Sequence, residues 1–590
     1  LPSMSLSDDE LEVLRHTSKI NDMIFLPWSD SDAYEPFTFA HPFSDPDGTL
    51  PLSEKQVAKW GFWRRPKQFM SHPQVIKKVS CLDIIQDVVT DCSFVASLCI
   101  AAAYENRFDK KLITSCIYPQ NQARHPMYNP SGKYVVRLLY NGILRRIAID
   151  DQFPVSREGK LMCTYTLNQT ELWPSLIEKA YMKLMGGYDF PGSNSSIDLY
   201  TLTGWIPEQI LMHDERFKED TQWDRMYEGL RYGDTLVTVA TGDMTPDEAE
   251  RYGLVSSHAY AVLNVDVVNG VRLLQLKNPW SIRGWKGPYS HLDRQAWTPS
   301  LCQRLNYDPQ KSAYRDDGIF WIDYESLCKR FSSIHLNWNP ELFTYRCTHH
   351  ARWPLDAGPA NAFYNLAGNP QYRLRVVHQP PPSVNGGPAA GTAPVWLLLT
   401  KHITRKEENK DYISLFVYDK TSGERIYSPD QPFVSSDFIN SPHVLVRFNV
   451  PPGGVSLFTV VALQFEKTRD FYYTLRVLSM APVELEPVEP VAHQRTIDDE
   501  WTTDTAGGIS NGVLTLNTAA PKSVHLTLAR GGVRVTNFNF RNTVSNSGAY
   551  CESTCFCPLE NLMDLDGPFD ITRLPAEGAG LYKRTVRGNW

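Results

Sequence analysis

The residue best suited to nucleophilic chemistry in this 590-residue chain is Cys92. The residues from Cys92 through Ala103 predict a helix, so the cysteine is expected at a helix N-terminus. There the unpaired backbone amides and the positive end of the helix dipole favour a thiolate, which can lower a cysteine pKa from about 8.5 into the range of roughly 3.5 to 7.5. Because a thiolate is the form that attacks carbonyl carbon atoms, Cys92 is the predicted nucleophile.

Gln86 is the predicted donor to the negative oxygen that such an attack creates. It precedes Cys92 by six residues. A tetrahedral intermediate is stabilised by hydrogen-bond donors placed where its charge develops. We expect the side-chain amide of Gln86 and the backbone N–H of Cys92 to be these donors.

A thiol nucleophile also needs a partner that accepts its proton and later returns it to the leaving amine, and His258 is the predicted partner. An imidazole that titrates near neutrality suits both roles. In the segment Ser257-His258-Ala259, small residues lead into a strand-like run. We therefore expect the ring at a strand edge that faces a cleft.

Asn278 is the residue predicted to orient the His258 ring. The third member of such a group must hold the imidazole without becoming a strong base, and a side-chain amide that accepts a hydrogen bond from the ring does so. Asn278 stands in the run Asn278-Pro279-Trp280. We expect Trp280 to cover the hydrogen bond between Asn278 and His258 and to keep water from competing for it.

Each of these residues, taken alone, has an ordinary structural explanation. A single cysteine in a helix is more often a small buried hydrophobic residue than a nucleophile, and a lone strand histidine has a similar explanation. The order Cys, His, Asn with distant partners is compatible with papain-like chemistry but is weak by itself. It is the joint presence of Gln86, Cys92, His258 and Asn278 that favours catalysis.

The elements that must position these residues can be recognised from periodicity. Apolar residues recur at helical spacing between Leu172 and Leu184, and Gly186-Gly187 provides a stop just beyond. Runs rich in β-branched and aromatic residues, which are typical of strands, follow. They occupy residues 235–239, 258–262 and 271–276.

Composition indicates a folded globular protein. Hydrophobic residues make up 42% and charged residues 21%, and a net charge of −7 leaves no basic surface for nucleic acid. The absence of an apolar run of about 18 residues and of a basic-then-apolar leader predicts no transmembrane segment and no secretion signal. The 11 cysteines are scattered without a disulfide pattern. We expect a cytoplasmic protein, with association with endosomes left open.

Length and pattern divide the chain into several domains. One hydrophobic core organises about 250 to 300 residues, which is fewer than this chain has. Helical patterns in the first half of the central body and strand patterns in the second predict two facing lobes. The expected boundaries are 1–48 for a lead-in, 49–192 for a helical lobe with the nucleophile, 193–342 for a sheet-rich lobe with His258 and Asn278, 343–481 for a β-sandwich, 482–494 for a linker, and 495–590 for a second β-sandwich whose completeness is left open.

The expected β domains depend on short strand-like runs after residue 345. Alternating proline, valine and glutamate in residues 482–491 indicate a stiff linker between them. The predicted strands are 372–377, 395–399, 412–418, 443–450, 455–465 and 472–478 before the linker, and 513–516, 524–528 and 533–540 after it.

The segments around the four candidate residues resemble the calpain family of cysteine proteases. In the family, the cysteine segment has glutamine, four residues, aspartate, cysteine and usually tryptophan, and this chain departs from it at Ser93. The resemblance is strong over roughly residues 45 to 340 and looser over the β region that follows. The similar segments are 86–92, 171–181, 258–260, 278–280 and 317–321.

Within that family the likeness is closest to the atypical PalB-type branch, through residues 91–98 and 186–195. It implies an α+β fold: a two-lobed papain-like calpain protease core followed by two antiparallel β-sandwich domains. It also implies limited cleavage of a protein substrate, and we expect substrate contacts at Gly192, Ser193 and Ser257. Members of the branch carry N-terminal repeats that bind ESCRT-III proteins, and since none precede residue 1, that partner is implied only for a longer form.

The resemblance also raises the question of calcium, which activates many calpains and needs about six to eight oxygen ligands. Asp83 and Glu178 stand where the family has carboxylate ligands, and a structural ion pair or cap is an equal alternative. In the second half of the core, residues 283–291 offer cations and a histidine where the family has carboxylates, Ile319 replaces another acid, and only Asp317 remains. We expect that no cofactor is required and leave open one calcium site.

Two other classes of function were weighed. Ser93 and the missing calcium ligands motivate a catalytically inactive adaptor that acts through its β domains, although all four catalytic candidates are present. Calcium-dependent phospholipid binding lacks a cluster of loop aspartates. The spacing of Cys551, Cys555 and Cys557 is not a standard zinc pattern, so we expect ordinary thiols there.

Overall fold

A computed structural model of the chain divides into two compact units. Unit 1 comprises Leu1–Leu342 with His402–Glu408, and unit 2 comprises Phe343–Lys401 with Asn409–Trp590. In the described part of the chain, no helix combines the length and the apolar character that crossing a membrane requires. The structure describes residues 6–86, 91–167, 170–281, 284–312, 317–358, 366, 368–378, 391–405, 411–419, 422–426, 429 and 431–489, together with the backbone of the strands Thr496–Glu500, Val513–Thr518, Ser523–Ala529, Asn539–Val544, Tyr550–Ser553 and Lys583–Asn589.

The α-helices of the described residues lie in unit 1. Helix α1 (Asp8–His16) begins with a capping box, because the Ser7 hydroxyl accepts a hydrogen bond from Glu10 N and the Glu10 carboxylate accepts one from Ser7 N. The Ser-x-x-Glu spacing of this segment predicts such a start. The further helices among the described residues are α2 (Glu54–Lys59), α3 (Cys92–Phe108), α4 (Trp173–Met185), α5 (Ser195–Thr203), α6 (Glu219–Tyr232), α7 (Pro246–Tyr252), α8 (Pro299–Leu305), α9 (Pro309–Ser312) and α10 (Tyr324–Arg330).

Helix α3 is buried on nearly all sides because its residues are small or apolar on every face. It begins at Cys92, as the sequence predicts, and extends beyond Ala103 to Phe108. It ends where Asp109 adopts a left-handed conformation with φ of 51°. Helix α3 packs against α5, and this contact holds the first turn of α3 in the interior.

Helix α4 agrees with the apolar periodicity between Leu172 and Leu184. Its last residue is Met185, and Gly186 follows with φ of 99°, a left-handed conformation in which a side chain would be strained. The backbone N–H of Gly186 donates to Lys183 O, which closes the last turn. All residues of α4 are buried, so the helix is part of the core of unit 1.

The strands of unit 1 pair in antiparallel sheets. The largest sheet has six strands, and the others among the described residues have two or three. The strands are β1 (Lys19–Ile20), β2 (Met23–Ile24), β3 (Trp60–Arg64), β4 (Ile84–Ile85), β5 (Ile117–Tyr118), β6 (Lys133–Tyr140), β7 (Ile143–Asp150), β8 (Phe153–Ser156), β9 (Tyr165–Thr166), β10 (Ile206–Leu211), β11 (Thr235–Ala240), β12 (Ala259–Val268), β13 (Val271–Lys277), β14 (Ile319–Asp323) and β15 (Ser333–Trp338).

The six-stranded sheet, in the order β10-β15-β11-β12-β13-β14, places two candidate residues side by side. Strand β12 begins one residue after His258, and β13 ends one residue before Asn278. The two strands are antiparallel neighbours, with Ala261 opposite Lys277. The start of β12 and the end of β13 therefore lie at the same end of the sheet, and His258 and Asn278 emerge there together.

A continuous hydrophobic core joins the helices of unit 1 to the six-stranded sheet. Phe94 of α3 stacks on Tyr181 of α4, with ring centroids 4.2 Å apart. Val262 of β12 and Leu336 of β15 belong to the same buried cluster. Helix α3 packs directly on β12, so the segment that carries Cys92 is fixed against the strand that follows His258.

Unit 2 contains two antiparallel sheets up to residue 487. One has the strand order β16-β23-β18-β21 and the other the order β20-β19-β22-β17-β24, and both contribute side chains to one hydrophobic core. The bounds agree with the predicted strands to within a few residues. The strands are β16 (Tyr345–Trp353), β17 (Gln371–His378), β18 (Ala393–Lys401), β19 (Ile413–Tyr418), β20 (Val434–Ser435), β21 (His443–Val450), β22 (Gly454–Gln464), β23 (Phe471–Ser479) and β24 (Val483–Pro487).

Part of the predicted linker 482–494 is a strand. Residues Val483–Pro487 form β24, which pairs with β17 and places Val483 opposite Val376 and Leu485 opposite Leu374. The alternation of apolar residues with glutamate suits an edge strand with one solvated face. Within the predicted stiff linker these residues form a paired strand, because backbone pairing and burial of one face outweigh the Pro/Glu composition.

Beyond residue 489 only strand backbones are described. They are β25 (Thr496–Glu500), β26 (Val513–Thr518), β27 (Ser523–Ala529), β28 (Asn539–Val544), β29 (Tyr550–Ser553) and β30 (Lys583–Asn589), in sheets ordered β25-β30-β27 and β26-β28-β29. Strands β26 and β27 agree with two of the predicted strands. Most of the third, 533–540, and Cys555 and Cys557 lie outside the described residues. A second β-sandwich stays a prediction.

Candidate active site

Cys92 occupies the first position of α3, and Asp91 is the N-cap residue. Burial raises the pKa of the Cys92 thiol, the backbone N–H of Ala259 lowers it, and the negative charges of Asp91 and Asp198 raise it further. The pKa is raised overall, so the expectation of a resting thiolate is wrong for this structure. The cost of burying an anion, together with two nearby carboxyl groups, outweighs the backbone amides.

His258 and Asn278 form a hydrogen bond whose direction can be assigned. Nε2 of His258 lies 2.8 Å from Oδ1 of Asn278, and the backbone N–H of Trp280 donates to the same Oδ1 at 3.0 Å. Because a backbone N–H is only a donor, the shared atom must be the amide oxygen, and the imidazole must donate through Nε2. In neutral His258 the lone pair therefore lies on Nδ1, the nitrogen that can accept a proton.

Aromatic side chains enclose the His258 ring. The ring centroid lies 4.6 Å from that of Trp280 and 5.0 Å from that of Tyr260, which meets it edge-on. His258 is 2% exposed, whereas Trp280 is 36% exposed. Burial lowers the pKa of His258 to about 4, and the hydrogen bond with Asn278 opposes this change. The ring is thus neutral at neutral pH and can act as a proton acceptor.

Two contacts join the nucleophile segment to the histidine and asparagine segments. The backbone N–H of Ala259 lies against the Cys92 thiol. The backbone N–H of Gln86 donates to the carbonyl oxygen of Pro279 at 3.1 Å. Ala259 and Pro279 are the residues that follow the histidine and the asparagine. The segments that carry the four predicted residues are therefore in contact within unit 1.

The side chain of Gln86 is held by a buried acid that the sequence reasoning did not assign a role. Nε2 of Gln86 donates to Oδ1 of Asp91 at 3.2 Å. The amide nitrogen carries a second hydrogen, and this is the one that an oxyanion requires. Only the place of Asp91 directly before Cys92 could have drawn attention to it.

Asp91 in turn shares a proton with Glu178 of α4. Burial raises the pKa of Asp91 to about 7 and that of Glu178 well above its usual range, and both carboxyl groups are fully buried. Two carboxylates cannot both ionise in contact within a buried site, so one proton lies between them. With one proton between them the two carboxyl groups keep a single negative charge, and Oδ1 of Asp91 gives Gln86 a fixed acceptor.

The predicted substrate contacts have defined local geometry. Ser257, with φ of 48°, donates from its hydroxyl to Asp243 Oδ1 at 2.5 Å and from its backbone N–H to Gly242 O at 2.9 Å. Gly192 has φ of 109°, and Ser193, which is exposed, follows it directly before α5. The roles of these positions stay predictions.

Asp83 and Glu178, the predicted calcium ligands, serve other contacts. Glu178 accepts hydrogen bonds from the backbone N–H and the hydroxyl of Thr164 at 2.8 and 2.5 Å. The carbonyl oxygen of Asp83 accepts one from Leu167 N. Among the described residues, no group of three or more His, Cys, Asp or Glu side chains could hold a metal ion. A calcium site at Asp83 and Glu178 stays a prediction.

Two lysines make contacts in the second region where calpains have calcium ligands. Nζ of Lys277 donates to the carbonyl oxygen of Asp317 at 2.8 Å, and the Asp317 carboxylate accepts from Ile319 N at 3.1 Å. Nζ of Lys286 pairs with the Glu250 carboxylate at 2.7 Å. Cations thus make contacts in a region where the resemblance would place carboxylate ligands.

The chain is similar to calpains over most of its length. The family described as calpain family cysteine protease matches residues 43–337. Calpain-7 of Mus musculus is 47% identical over 511 residues, which cover 85% of this chain and 62% of that protein. The calpain-like protease palB/RIM13 of Aspergillus oryzae is 35% identical over 536 residues (85% and 59%). The calpain-like protease palB of Emericella nidulans is 31% identical over 642 residues (96% and 71%). The chain spans less than two thirds of the length of Calpain-7.

Proposed function

Because the chain belongs to the calpain family of cysteine proteases, we propose that it is an endopeptidase that uses Cys92 as nucleophile, His258 as base and Asn278 to orient the base. The observation that supports this best is the hydrogen bond from His258 Nε2 to Asn278 Oδ1. That bond leaves the lone pair on Nδ1 of a neutral ring. His258 is therefore in the tautomer that can accept a proton through Nδ1. The next residue, Ala259, contacts the Cys92 thiol through its backbone N–H.

In the first half of the reaction, the thiol proton moves to His258 Nδ1 as Sγ forms a bond to the scissile carbonyl carbon. The raised pKa of the thiol and the lowered pKa of the imidazole favour neutral partners at rest, so proton transfer accompanies the attack. The negative oxygen accepts hydrogen bonds from Gln86 Nε2 and Cys92 N. The imidazolium then protonates the leaving amine, the C–N bond breaks, and a thioester remains.

In the second half, water replaces the amine. Nδ1 of His258 removes a proton from water as its oxygen attacks the thioester carbonyl, and the same oxyanion donors act again. Collapse of the intermediate breaks the C–S bond and returns the proton to sulfur, which releases the carboxylic acid. Asn278 stabilises the imidazolium that forms in each half, because its Oδ1 accepts from the charged ring.

The proposed architecture is a two-lobed papain-like core followed by two β-sandwich domains. We propose limited cleavage of a cytoplasmic regulatory protein rather than digestion, as the resemblance to calpains implies. The chain covers only 62% of Calpain-7. Partners of a longer protein, including ESCRT-III-related proteins, are therefore also part of what we propose. The adaptor alternative is motivated by Ser93. In the structure, however, Ser93 is a buried part of an intact α3 and faces Asp198.

The proposed function is tested with fluorescein-labelled casein. We expect the wild-type chain to release discrete fragments and to lose this activity after treatment with iodoacetamide, which alkylates reactive thiols. Fragment size is followed by gel electrophoresis. An inactive adaptor would instead leave casein intact before and after alkylation.

Calcium is expected to have little effect on this cleavage. The Glu178 carboxylate accepts hydrogen bonds from Thr164. In the second half of the core, Lys277 donates to the carbonyl oxygen of Asp317. We expect the rate after chelator treatment to change by less than about twofold when millimolar calcium is added, because these contacts compete with the six to eight oxygen ligands that calcium requires. A sharp rise in the rate on adding calcium would contradict this prediction, and addition of magnesium serves as the matched control.

Gly318 supports Asn278, so Gly318→Ala is expected to impair catalysis. The backbone N–H of Asn278 donates to Gly318 O at 2.9 Å. Gly318 has φ of 71°, and a Cβ there would lie 2.5 Å from Asn278 O and 2.9 Å from Ser281 Cα. We expect kcat to fall by about 10²-fold, because small displacements of catalytic groups are costly.

Gly270→Ala is the matched control for Gly318→Ala. Gly270 has φ of 80°, but no atom lies within 4 Å of a Cβ at this position. Both substitutions strain a left-handed backbone at a cost of about 1 kcal/mol or more, and only the first pushes on Asn278. Equal kcat values for the two variants, measured on the folded fraction, would contradict the prediction.

A further inference from the structure

Thr241 directly follows β11, and its hydroxyl contacts the segment that carries His258. The backbone N–H of His258 donates to Oγ1 of Thr241 at 3.0 Å. The same Oγ1 lies 2.6 Å from the carbonyl oxygen of Val255 and 3.2 Å from that of His258. Because a hydroxyl has one hydrogen, it donates to the nearer oxygen, that of Val255. The Thr241 hydroxyl therefore links the N–H of His258 to the carbonyl group of Val255.

This hydroxyl takes the place of a bond that regular strand pairing can supply. Strands β11 and β12 pair up to Ala240 opposite Ala259, and the same register places Thr241 opposite His258. Two opposite residues of an antiparallel ladder can exchange both N–H···O bonds. Here the backbone N–H of Thr241 donates to the carbonyl oxygen of His258 at 2.9 Å, but the N–H of His258 donates to a side chain. The place of the His258 backbone therefore depends in part on one hydroxyl group.

The chain enters His258 through an uncommon backbone conformation. Ser257 has φ of 48°, in the left-handed region that residues other than glycine rarely adopt. Its backbone N–H donates to the carbonyl oxygen of Gly242 at 2.9 Å. Such a conformation persists because the surrounding contacts hold it. The Thr241 hydroxyl provides one of these contacts at His258 itself.

The same hydrogen bonds lead to an aromatic ring that packs on the imidazole. The backbone N–H of Val255 donates to the Tyr260 hydroxyl at 2.9 Å, and the Tyr260 ring meets the His258 ring edge-on. Thr241, Val255 and Tyr260 are all buried, so a hydroxyl lost at Thr241 leaves buried backbone groups without a partner. His258 is thus held by Thr241 at its backbone and by Asn278 at its ring.

We propose that Thr241 is a positioning residue whose hydroxyl fixes the His258 backbone, and thereby the place of Nδ1 relative to the Cys92 thiol. The proposal rests on the proposed function, in which Nδ1 takes the thiol proton. Helix α3, which begins at Cys92, packs on β12, which begins one residue after His258. A shift of the His258 backbone is therefore expected to change the geometry of proton transfer more than the affinity for a peptide.

Thr241→Val tests the proposal, because valine has nearly the size of threonine but no hydroxyl. We expect kcat for cleavage of fluorescein-labelled casein to fall by about 10²-fold per folded molecule, with KM within about twofold of the wild type. Iodoacetamide alkylation of Cys92, which depends on thiolate formed with His258, is expected to slow by about tenfold. Thr241→Ser, which keeps a hydroxyl, is expected to restore most of both rates. The folded fraction is measured by circular dichroism.

Thr235→Val is the matched control. Thr235 is buried at the other end of β11, where its hydroxyl donates to the carbonyl oxygen of Asn337 at 3.0 Å. Its replacement removes a buried hydroxyl from the same strand and is expected to leave kcat and the alkylation rate per folded molecule unchanged. Either rate being equal in Thr241→Val and Thr235→Val would overturn the proposal. A loss of kcat that Thr241→Ser does not restore would overturn it as well.

A second variant keeps the test decisive if Thr241→Val does not fold. Thr241→Cys places a weaker hydrogen-bonding group at the same position, and its kcat is expected to fall between those of the wild type and His258→Ala. A wild-type kcat in Thr241→Cys would then overturn the proposal. Failure of the proposed function would appear separately, as wild-type protein that leaves casein intact. The alkylation rates with and without the Thr241 hydroxyl would still decide whether Thr241 positions His258.

Discussion

Cys92→Ala is expected to reduce kcat for casein cleavage by on the order of 10⁶-fold, which is the scale of losing a catalytic nucleophile. No other group at the site can form the thioester, because His258 and Asn278 act on the proton and not on carbon. Autolysis, if the wild type shows it, should cease as well. The measurement is single-turnover cleavage of labelled casein at saturating enzyme.

Cys99→Ala is the matched control for this prediction. Cys99 lies in the same helix, is completely buried, and has a thiol whose pKa burial raises to about 12. Its replacement leaves a small cavity that costs about 1 kcal/mol of stability but touches no reacting atom. We expect Cys99→Ala to keep wild-type kcat per folded molecule. More than about 1% residual cleavage in Cys92→Ala would assign the nucleophile to another residue.

His258→Ala is expected to cost nearly as much, about 10⁴-fold to 10⁶-fold in kcat, since members of such a group act as a unit. The raised pKa of the Cys92 thiol makes the base essential: at neutral pH the sulfur is protonated, and without Nδ1 no group takes its proton. Iodoacetamide alkylation of Cys92 should slow in the same variant. Unchanged alkylation would show that the thiol does not depend on His258.

His335→Ala is a demanding control. His335 is also buried in the six-stranded sheet, where Ser196 and Ser333 contact its ring nitrogens at 3.3 and 3.0 Å, and burial lowers its pKa to about 4 as well. His258 differs from His335 in that the residue after it, Ala259, contacts the Cys92 thiol through its backbone N–H. We expect His335→Ala to lower stability and to keep kcat per folded molecule.

The pH dependence of the wild type follows from the same ring. His258 has a folded pKa of about 4, below its ordinary value of about 6.5, because burial disfavours the charged form. The imidazole is therefore able to accept a proton above about pH 4 and loses this ability below it. We expect the acid limb of kcat/KM near that pH. An acid limb at the ordinary histidine pKa would contradict the assigned environment.

The residues of the candidate site could be predicted because their chemistry is local in sequence. The run from Gln86 to Cys92 precedes a helix, and His258 and Asn278 sit at strand ends. Antiparallel pairing of β12 with β13 then brings the last two together. The proximity of His258 and Asn278 follows from where their strands begin and end, and residue periodicity indicates those boundaries.

The ionisation of Cys92 could not be predicted in this way. The local argument considered only the helix end, which favours a thiolate. Burial by the rest of unit 1 and the carboxyl groups of Asp91 and Asp198 act in the opposite direction. Asp198 is far away in the chain, and the proton shared by Asp91 and Glu178 depends on the packing of α4 against the start of α3. Sequence patterns report local propensity and do not give such tertiary contacts.

Strand β24, within the predicted linker, could not be predicted for a related reason. Residues 482–491 combine proline and glutamate, which indicates an extended chain without a core. In the same segment Val483 and Leu485 are two residues apart, so in a strand their side chains lie on one face. The unpaired edge of β17 provides the backbone groups with which this strand pairs. Composition could not show that edge, because it is formed by residues more than a hundred positions earlier. The alternation of apolar residues with glutamate was the feature of the sequence that could have indicated this strand.

The most direct test of the account is the site at which a peptidyl vinyl sulfone modifies the protein, read by peptide mass spectrometry. We predict one adduct, on Cys92, which forms rapidly in the wild type and at a rate lower by about 10²-fold or more in His258→Ala. Adduct on a different cysteine, or equal rates of Cys92 labelling with and without His258, would contradict the claim that these two residues form a catalytic pair.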